Sequence, residues 1–291
     1  MAELRTDLAL EAAEQLTASG EKAKKIAGVR LEERRCEGYS ITTVTVESEE
    51  GSRALGKPMG RYVTVDLQPY FQRQERYFPR GTACIASELR QLLPQLQQGC
   101  VLAVGLGNRA MVCDAVGPFA LENLLITRHI VAEQPQQFAF FTPVAALAAG
   151  VVGQTGVETL ELIAPVVHHI KPAAVIVIDA LCARSRHRLC STVQLSDTGL
   201  VPGSGVGNHR SAINAETLGV PVIAVGVPTV MAGEVLAQEL TGHRAQDGSG
   251  LFVTPRDVDS RVRELSHLMG YGITSALQPE LSIEEITGLL G

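Results

Sequence analysis

Residues Val101 to Pro118 read VLAVGLGNRAMVCDAVGP. A short apolar run ends in Gly105-Leu106-Gly107-Asn108, and a lone acid, Asp114, follows before Gly117-Pro118. The run predicts a strand over 100–105 that leads into a glycine loop. Pro118 suits the first turn of a helix, predicted over 118–131. A second apolar run, AAVIVI at Ala173–Ile178, predicts a strand that ends at Asp179. Strands of this kind alternating with helices argue for a wound, mostly parallel α/β sheet flanked by helices.

Outward from that core the pattern continues. Helices are predicted over 158–169, 255–269 and 282–290. Strands are predicted over 192–195 and 221–225, with a second glycine-rich loop, DTGLVPGSGVGNHR, after the first of these. The segment between the helix near Val131 and the helix at Glu158 is rich in Ala and Gly and receives no element. Towards the N-terminus, YSITTVTV at Tyr39–Val46 and RYVTVDL at Arg61–Leu67 alternate and are rich in β-branched residues, so they read as strands. They form a smaller, partly antiparallel addition that ends in a helix over 83–96. Residues 47–57 read as a polar turn region. A helix is predicted over 7–16, with Asp7 placed to cap it.

Composition bounds what the chain does. The 291 residues are 45% hydrophobic, with no Trp, so a core of Val, Ile, Leu and Ala is expected, as under a parallel sheet. The net charge of −6 argues against nucleic acid as the main partner. No apolar run approaches the ~18 residues of a membrane span, and the N-terminus has no apolar signal core. The six cysteines form no Cys-x-x-Cys pair and no metal-ligand spacing, which reads as reduced, mostly buried thiols in a cytoplasmic protein.

Two aspartates stand out. Asp114 follows one predicted strand and Asp179 ends another, and ligands of open α/β sheets bind beyond the carboxyl ends of the strands. Two carboxylates meeting there in low dielectric cannot both ionise readily. One member then activates water while its protonated partner donates to a scissile carbonyl, which is peptide hydrolysis by an aspartic dyad. The alternative is that each merely caps a helix or forms a turn.

Asp197-Thr198-Gly199 resembles the pepsin triplet, but it opens one glycine loop of an α/β chain rather than a turn in an all-β lobe. Asp197 is still expected near the site. The loop holding Gly203, Ser204, Gly205 and Asn208 can offer backbone N–H groups to a carbonyl or a substrate backbone, or be a plain surface loop. Asn108 joins them as a candidate substrate-binding residue. A dinucleotide site is disfavoured, because Gly105-Leu106-Gly107 lacks the third glycine and no P-loop is present. His168 and His169 fit the last turn of a helix, and His187 fits a solvated basic patch. His209 and Arg210 could touch a substrate. Cys182 reads as a small buried filler.

The stretches RTDLA (Arg5–Ala9), GRYVTVD (Gly60–Asp66), VGLGN (Val104–Asn108), DAVGPFALENLLITRH (Asp114–His129), IDALCAR (Ile178–Arg184), SDTGLVPGSGVGN (Ser196–Asn208) and ETLGVPVIAVGVPTV (Glu216–Val230) resemble the germination proteases of endospore-forming bacteria. The likeness runs over almost the whole chain. It implies an atypical aspartic endopeptidase with an α/β, phosphorylase/hydrolase-like fold shared with hydrogenase maturation proteases. It implies no cofactor and no metal, and its two catalytic aspartates fall on Asp114 and Asp179.

The resemblance further implies a zymogen that removes its own propeptide and then degrades small acid-soluble spore proteins, cutting after Glu. A homotetramer in the forespore or spore core is the implied assembly and location. Thr6-Asp7-Leu8-Ala9-Leu10-Glu11 matches the substrate word Thr-Glu-Ile-Ala-Ser-Glu in acid, apolar, Ala and Glu positions. Self-cleavage is therefore expected between Asp7 and Leu8, dividing a propeptide, 1–7, from a single protease domain, 8–291. Two other readings stay open: a metal-dependent maturation-type protease, and a non-catalytic α/β module that binds a peptide.

Overall fold

The structure, a computed structural model, describes residues 6–18, 26–94, 99–206, 210–243 and 250–290. Asn208 and His209 lie outside these residues. The strands are β1 (Val29–Cys36), β2 (Tyr39–Val46), β3 (Gly60–Asp66), β4 (Val101–Leu106), β5 (Val144–Gly150), β6 (Ala174–Ala183), β7 (Thr192–Ser196), β8 (Val222–Ala232) and β9 (Phe252–Val253). Among the described residues they form one sheet in the order β1-β2-β3-β7-β8-β6-β4-β5, with β9 added to β8. From β8 to β5 the neighbours are parallel, and from β1 to β8 they are antiparallel. The α/β architecture is as expected. The antiparallel N-terminal strands extend the same sheet.

The strand period of two explains the layers. Val101 and Ala103 of β4, with Ile176 and Ile178 of β6, face a core shared with the helices Tyr77–Leu92, Val116–Leu121 and Val258–Leu277. The alternate residues Leu102, Val104, Val175 and Val177 face the opposite core, against Ile163 and Val167 of the helix Thr159–Ile170. Both faces of these strands are therefore covered, which is why their sequences do not alternate. β1, VRLEERRC, is different: most of its side chains are exposed, and its charges suit an edge strand that must not pair with another chain.

Several elements depart from the sequence expectations. Residues 47–57 contain a helix, Glu49–Leu55, whose N-cap Ser48 accepts from the Gly51 N–H. The expected helix over 118–131 is two, Val116–Leu121 and Arg128–Glu133. The Ala/Gly-rich segment supplies the edge strand β5, which its small residues conceal. β6 and β8 run further than expected, to Ala183 and Ala232.

Chain order places the site. From β4 the chain crosses to β5 on one side, then returns to β6 on the other. That reversal opens a crevice beyond the carboxyl ends of β4 and β6. The helix starting at Val116 packs into it so closely that a Cβ on Gly117 would lie 2.3 Å from the Leu106 carbonyl oxygen and 2.6 Å from that of Ile178. Both obstacles are backbone and cannot yield. Gly117→Ala is expected to cost about 3 kcal/mol of stability, read as a fall in the urea midpoint.

Candidate active site

Asp114 lies in a short 3-10 turn, Val112–Asp114, that follows the β4 loop. Its Oδ2 accepts from the Asn108 N–H at 2.7 Å. Gly107 allows this turn to close: its φ is +106°, and a Cβ there would meet the Asp114 carbonyl oxygen at 1.9 Å. Asn108 thus reaches Asp114 through its backbone. Its side chain accepts from the Ala110 N–H at 2.9 Å and from Gln154 Nε2 at 2.7 Å.

Asp179 stands within β6, opposite Gly226 of β8. On the other side β4 pairs only as far as Ile178. Asp179 is therefore the first residue of β6 past its pairing with β4, whose last residue, Leu106, pairs with β5 alone. It is 7% exposed and accepts from the Ala180 N–H at 2.9 Å. Burial pushes its carboxyl well above the ordinary range, and the charges of Asp114 and Asp7 push the same way. Asp114 is half-buried; burial raises it too, opposed by the Asn108 N–H.

The crevice holds the chain's own N-terminal segment. Asp7 does not cap the first helix, which begins at Ala9. Its Oδ2 instead accepts from the Cys182 N–H at 2.8 Å and its Oδ1 from the Ser204 hydroxyl at 2.7 Å. Its own N–H donates to the Cys182 carbonyl at 3.0 Å. Leu8 is fully buried among Ala183, Leu189, Met231 and Val235. Glu11, also buried, accepts from the Arg184 and Ser185 N–H groups beyond β6 and pairs with Arg188. Residues 6–11 thus lie along the end of β6 as an extended-then-helical segment.

Two adjoining cavities share Asp7 and Asp179 in their walls. One, of about 480 Å³, is lined by Lys57, Gln194 and Asp179; the other, of about 560 Å³, by Asp114, Asp179 and Asn108; Asp7 lines both. Gly203 and Ser204 are brought here with Asp7, Asp114 and Asp179. Gly205 joins them, because a Cβ on it would sit 2.3 Å from Asp7 Oδ2. Asp197 is placed elsewhere. Its carboxylate accepts from the Arg61 N–H and Nε, at 2.7 and 3.0 Å, and ties β3 to the end of β7. Cys182 is buried as expected, with its thiol pushed up to about 12 by burial and then by the charges of Asp7 and Glu11. Its backbone N–H and carbonyl bond Asp7. His168 and His169 end a helix as expected. The sequence reading missed Lys57 and Gln194, which carry no motif of their own.

The germination protease family profile matches residues 6–243. A germination protease of Caldanaerobacter subterraneus subsp. tengcongensis is 37% identical over 99% of this chain and 98% of its own. One of Clostridium perfringens is 36% identical over the full length of both. A germination protease of Bacillus cereus is 45% identical over 78% of this chain, which corresponds to 63% of that longer protein. A NiFe hydrogenase maturation protease HycI from Thermococcus kodakarensis KOD1 aligns over 64% of this chain at 16% identity and a TM-score of 0.35, a level that establishes nothing about this chain. With more than two thirds of its residues under the family profile and full-length relatives above one-third identity, the chain belongs to the germination protease family of peptidases.

Proposed function

We propose that the protein is an aspartic-type endopeptidase made as a zymogen, with Asp114 and Asp179 as its dyad. It cuts itself between Asp7 and Leu8. The mature enzyme then degrades small acid-soluble spore proteins in the spore core, acting as a homotetramer. The observation that carries this reading is the seating of Asp7 close to Asp179, in a cavity that Asp114 also lines, with its side chain held as a substrate's acidic residue would be.

The roles divide by environment. Asp179, buried and facing two other carboxylates, keeps the proton. Asp114, with the Asn108 N–H on Oδ2, is the base that takes a proton from water. Water attacks the Asp7 carbonyl carbon, Asp179 gives its proton to the amide being broken, and Leu8 leaves with a free amine. The Cys182 N–H and the Ser204 hydroxyl select an acid before the cut, and the apolar seat of Leu8 selects an aliphatic residue after it.

The test is cleavage of a small acid-soluble spore protein by processed enzyme, with product ends read by mass spectrometry and a chelator in parallel. Cuts after Glu, unaffected by the chelator, are expected. Among the described residues no three His, Cys, Asp or Glu side chains group as metal ligands. A rate lost to chelation and restored by a divalent metal would replace this reading with the metal-dependent one. Binding without any cut would replace it with the peptide-binding one.

A further inference from the structure

Lys57 follows the helix Glu49–Leu55 and lines the cavity that Asp114 does not. Its Nζ donates to the carbonyl oxygens of Thr6, at 2.9 Å, and Asp7, at 3.0 Å. Gln194, on β7, meets the same Asp7 carbonyl with its Nε2 at 3.2 Å. Its Oε1 accepts from the Ala9 N–H at 2.9 Å, which fixes the amide's orientation. The Asp7 carbonyl therefore has two side-chain donors, from separate elements, on one oxygen.

The environment of Lys57 is unusual for a lysine. Among the described residues its ammonium makes no ion pair; its acceptors are two neutral carbonyls. Burial pushes its amine below the ordinary value, and Asp7 and Glu11 pull it back. A cation taken from water and set on neutral acceptors is poorly compensated. It becomes well compensated once one of those oxygens turns negative. The Asp7 carbonyl does so when water adds to its carbon.

We propose that Lys57 and Gln194 form an oxyanion clamp on the carbonyl of the bond that is cut, here Asp7–Leu8 and afterwards the equivalent carbonyl of a substrate. This rests on the reading of Asp7–Leu8 as the scissile bond. Lys57 and Gln194 line one cavity, Asp114 lines the adjoining one, and Asp7 and Asp179 line both, so the carbonyl oxygen and the attacking water are served by separate groups. In balance, Asp114 takes one proton from water as the new C–O bond forms, and Lys57 and Gln194 hold the oxyanion. Asp179 then protonates the Leu8 nitrogen as the C–N bond breaks, and one proton passes back between the aspartates to reset the dyad. Neither donor transfers a proton in this scheme, so both are stabilising groups for the transition state.

The experiment uses the full chain. Wild type, Lys57→Met, Lys57→Arg and Gln194→Leu are followed by mass spectrometry for the appearance of the Leu8 terminus, with amide exchange at Ala9 reporting whether the segment stays seated. Removing one such donor is expected to slow cleavage about 100-fold or more. Lys57→Met is expected to do so while Ala9 stays protected, and Lys57→Arg to recover part of the rate. Gln194→Leu is expected to slow cleavage as well, with Ala9 protection reduced because it loses its acceptor. A Lys57→Met rate within threefold of wild type overturns the clamp alone. Slow cleavage with Ala9 protection lost in Lys57→Met also overturns it, leaving Lys57 as an anchor of the segment. If wild type never yields a Leu8 terminus, the self-cleavage reading fails and the clamp with it.

Discussion

Asp179→Asn is expected to abolish self-cleavage and, at the same time, to make the folded protein more stable at neutral pH. Loss of the proton donor removes a contribution of roughly 10²–10⁴ in rate, so the Leu8 terminus should form about 10³-fold more slowly or not at all. The stability effect follows from the raised pKa. Folded Asp179 keeps its proton at pH values where the unfolded chain, with a pKa of about 4, has lost it. In that window the native state binds more protons, so stability falls as pH rises from about 4 through the folded value. Asparagine carries no charge to desolvate and escapes that loss. Thermal unfolding at pH 7 should rise by about 3 °C or more, and the gain should vanish near pH 4. A variant no more stable than wild type at pH 7 would mean that Asp179 is ionised and compensated there. Asp114→Asn should lose the same activity with a smaller gain, because the Asn108 N–H supports its charged form.

The second large effect is expected at Gly205. Its added Cβ would meet Asp7 Oδ2 at 2.3 Å and the Cys182 Cβ at 2.5 Å. Asp7 cannot swing aside freely, since its carboxylate is held by the Cys182 N–H and the Ser204 hydroxyl. Gly205→Ala must therefore push Asp7 out of its seat. A displacement of about 1 Å in a reacting group costs about 100-fold, and cleavage at Asp7–Leu8 should fall by that much. The added Cβ also presses on the Cβ of buried Cys182, so the melting temperature should fall by a few degrees, about 1 kcal/mol, and cleavage is compared at a temperature where the variant is fully folded. Normal processing in this variant would show that Asp7 is not seated against the glycine loop when the bond is cut.

The sequence made the crevice legible because its walls are simple. VLAVGL and AVIVI are buried on both faces and show it, and the acids that follow them break the apolar pattern at the strand ends. What it hid depends on pairing. Asp179 looks like a strand terminus, yet β6 continues along β8; only its pairing with β4 stops at Ile178. The strand β5, VAALAAG, lacks the bulky β-branched signal, and β1 looks polar because it is an edge. Asp7 reads as a helix cap from local spacing, whereas a backbone N–H nearly 180 residues away captures its carboxylate. Lys57 and Gln194 are ordinary residues of a loop and a strand until β3, β7 and the N-terminal segment are brought together. Asp197 shows the converse: a familiar triplet whose acid is spent on Arg61.

The most direct test of the account is the N-terminal sequence of the full-length chain and of its Asp114→Asn and Asp179→Asn variants, incubated together at mildly acidic pH. The dyad predicts a new terminus at Leu8 in the wild type alone, with Met1 or Ala2 retained in both variants and their folds intact. A Leu8 terminus forming at near wild-type rate in either variant would contradict it.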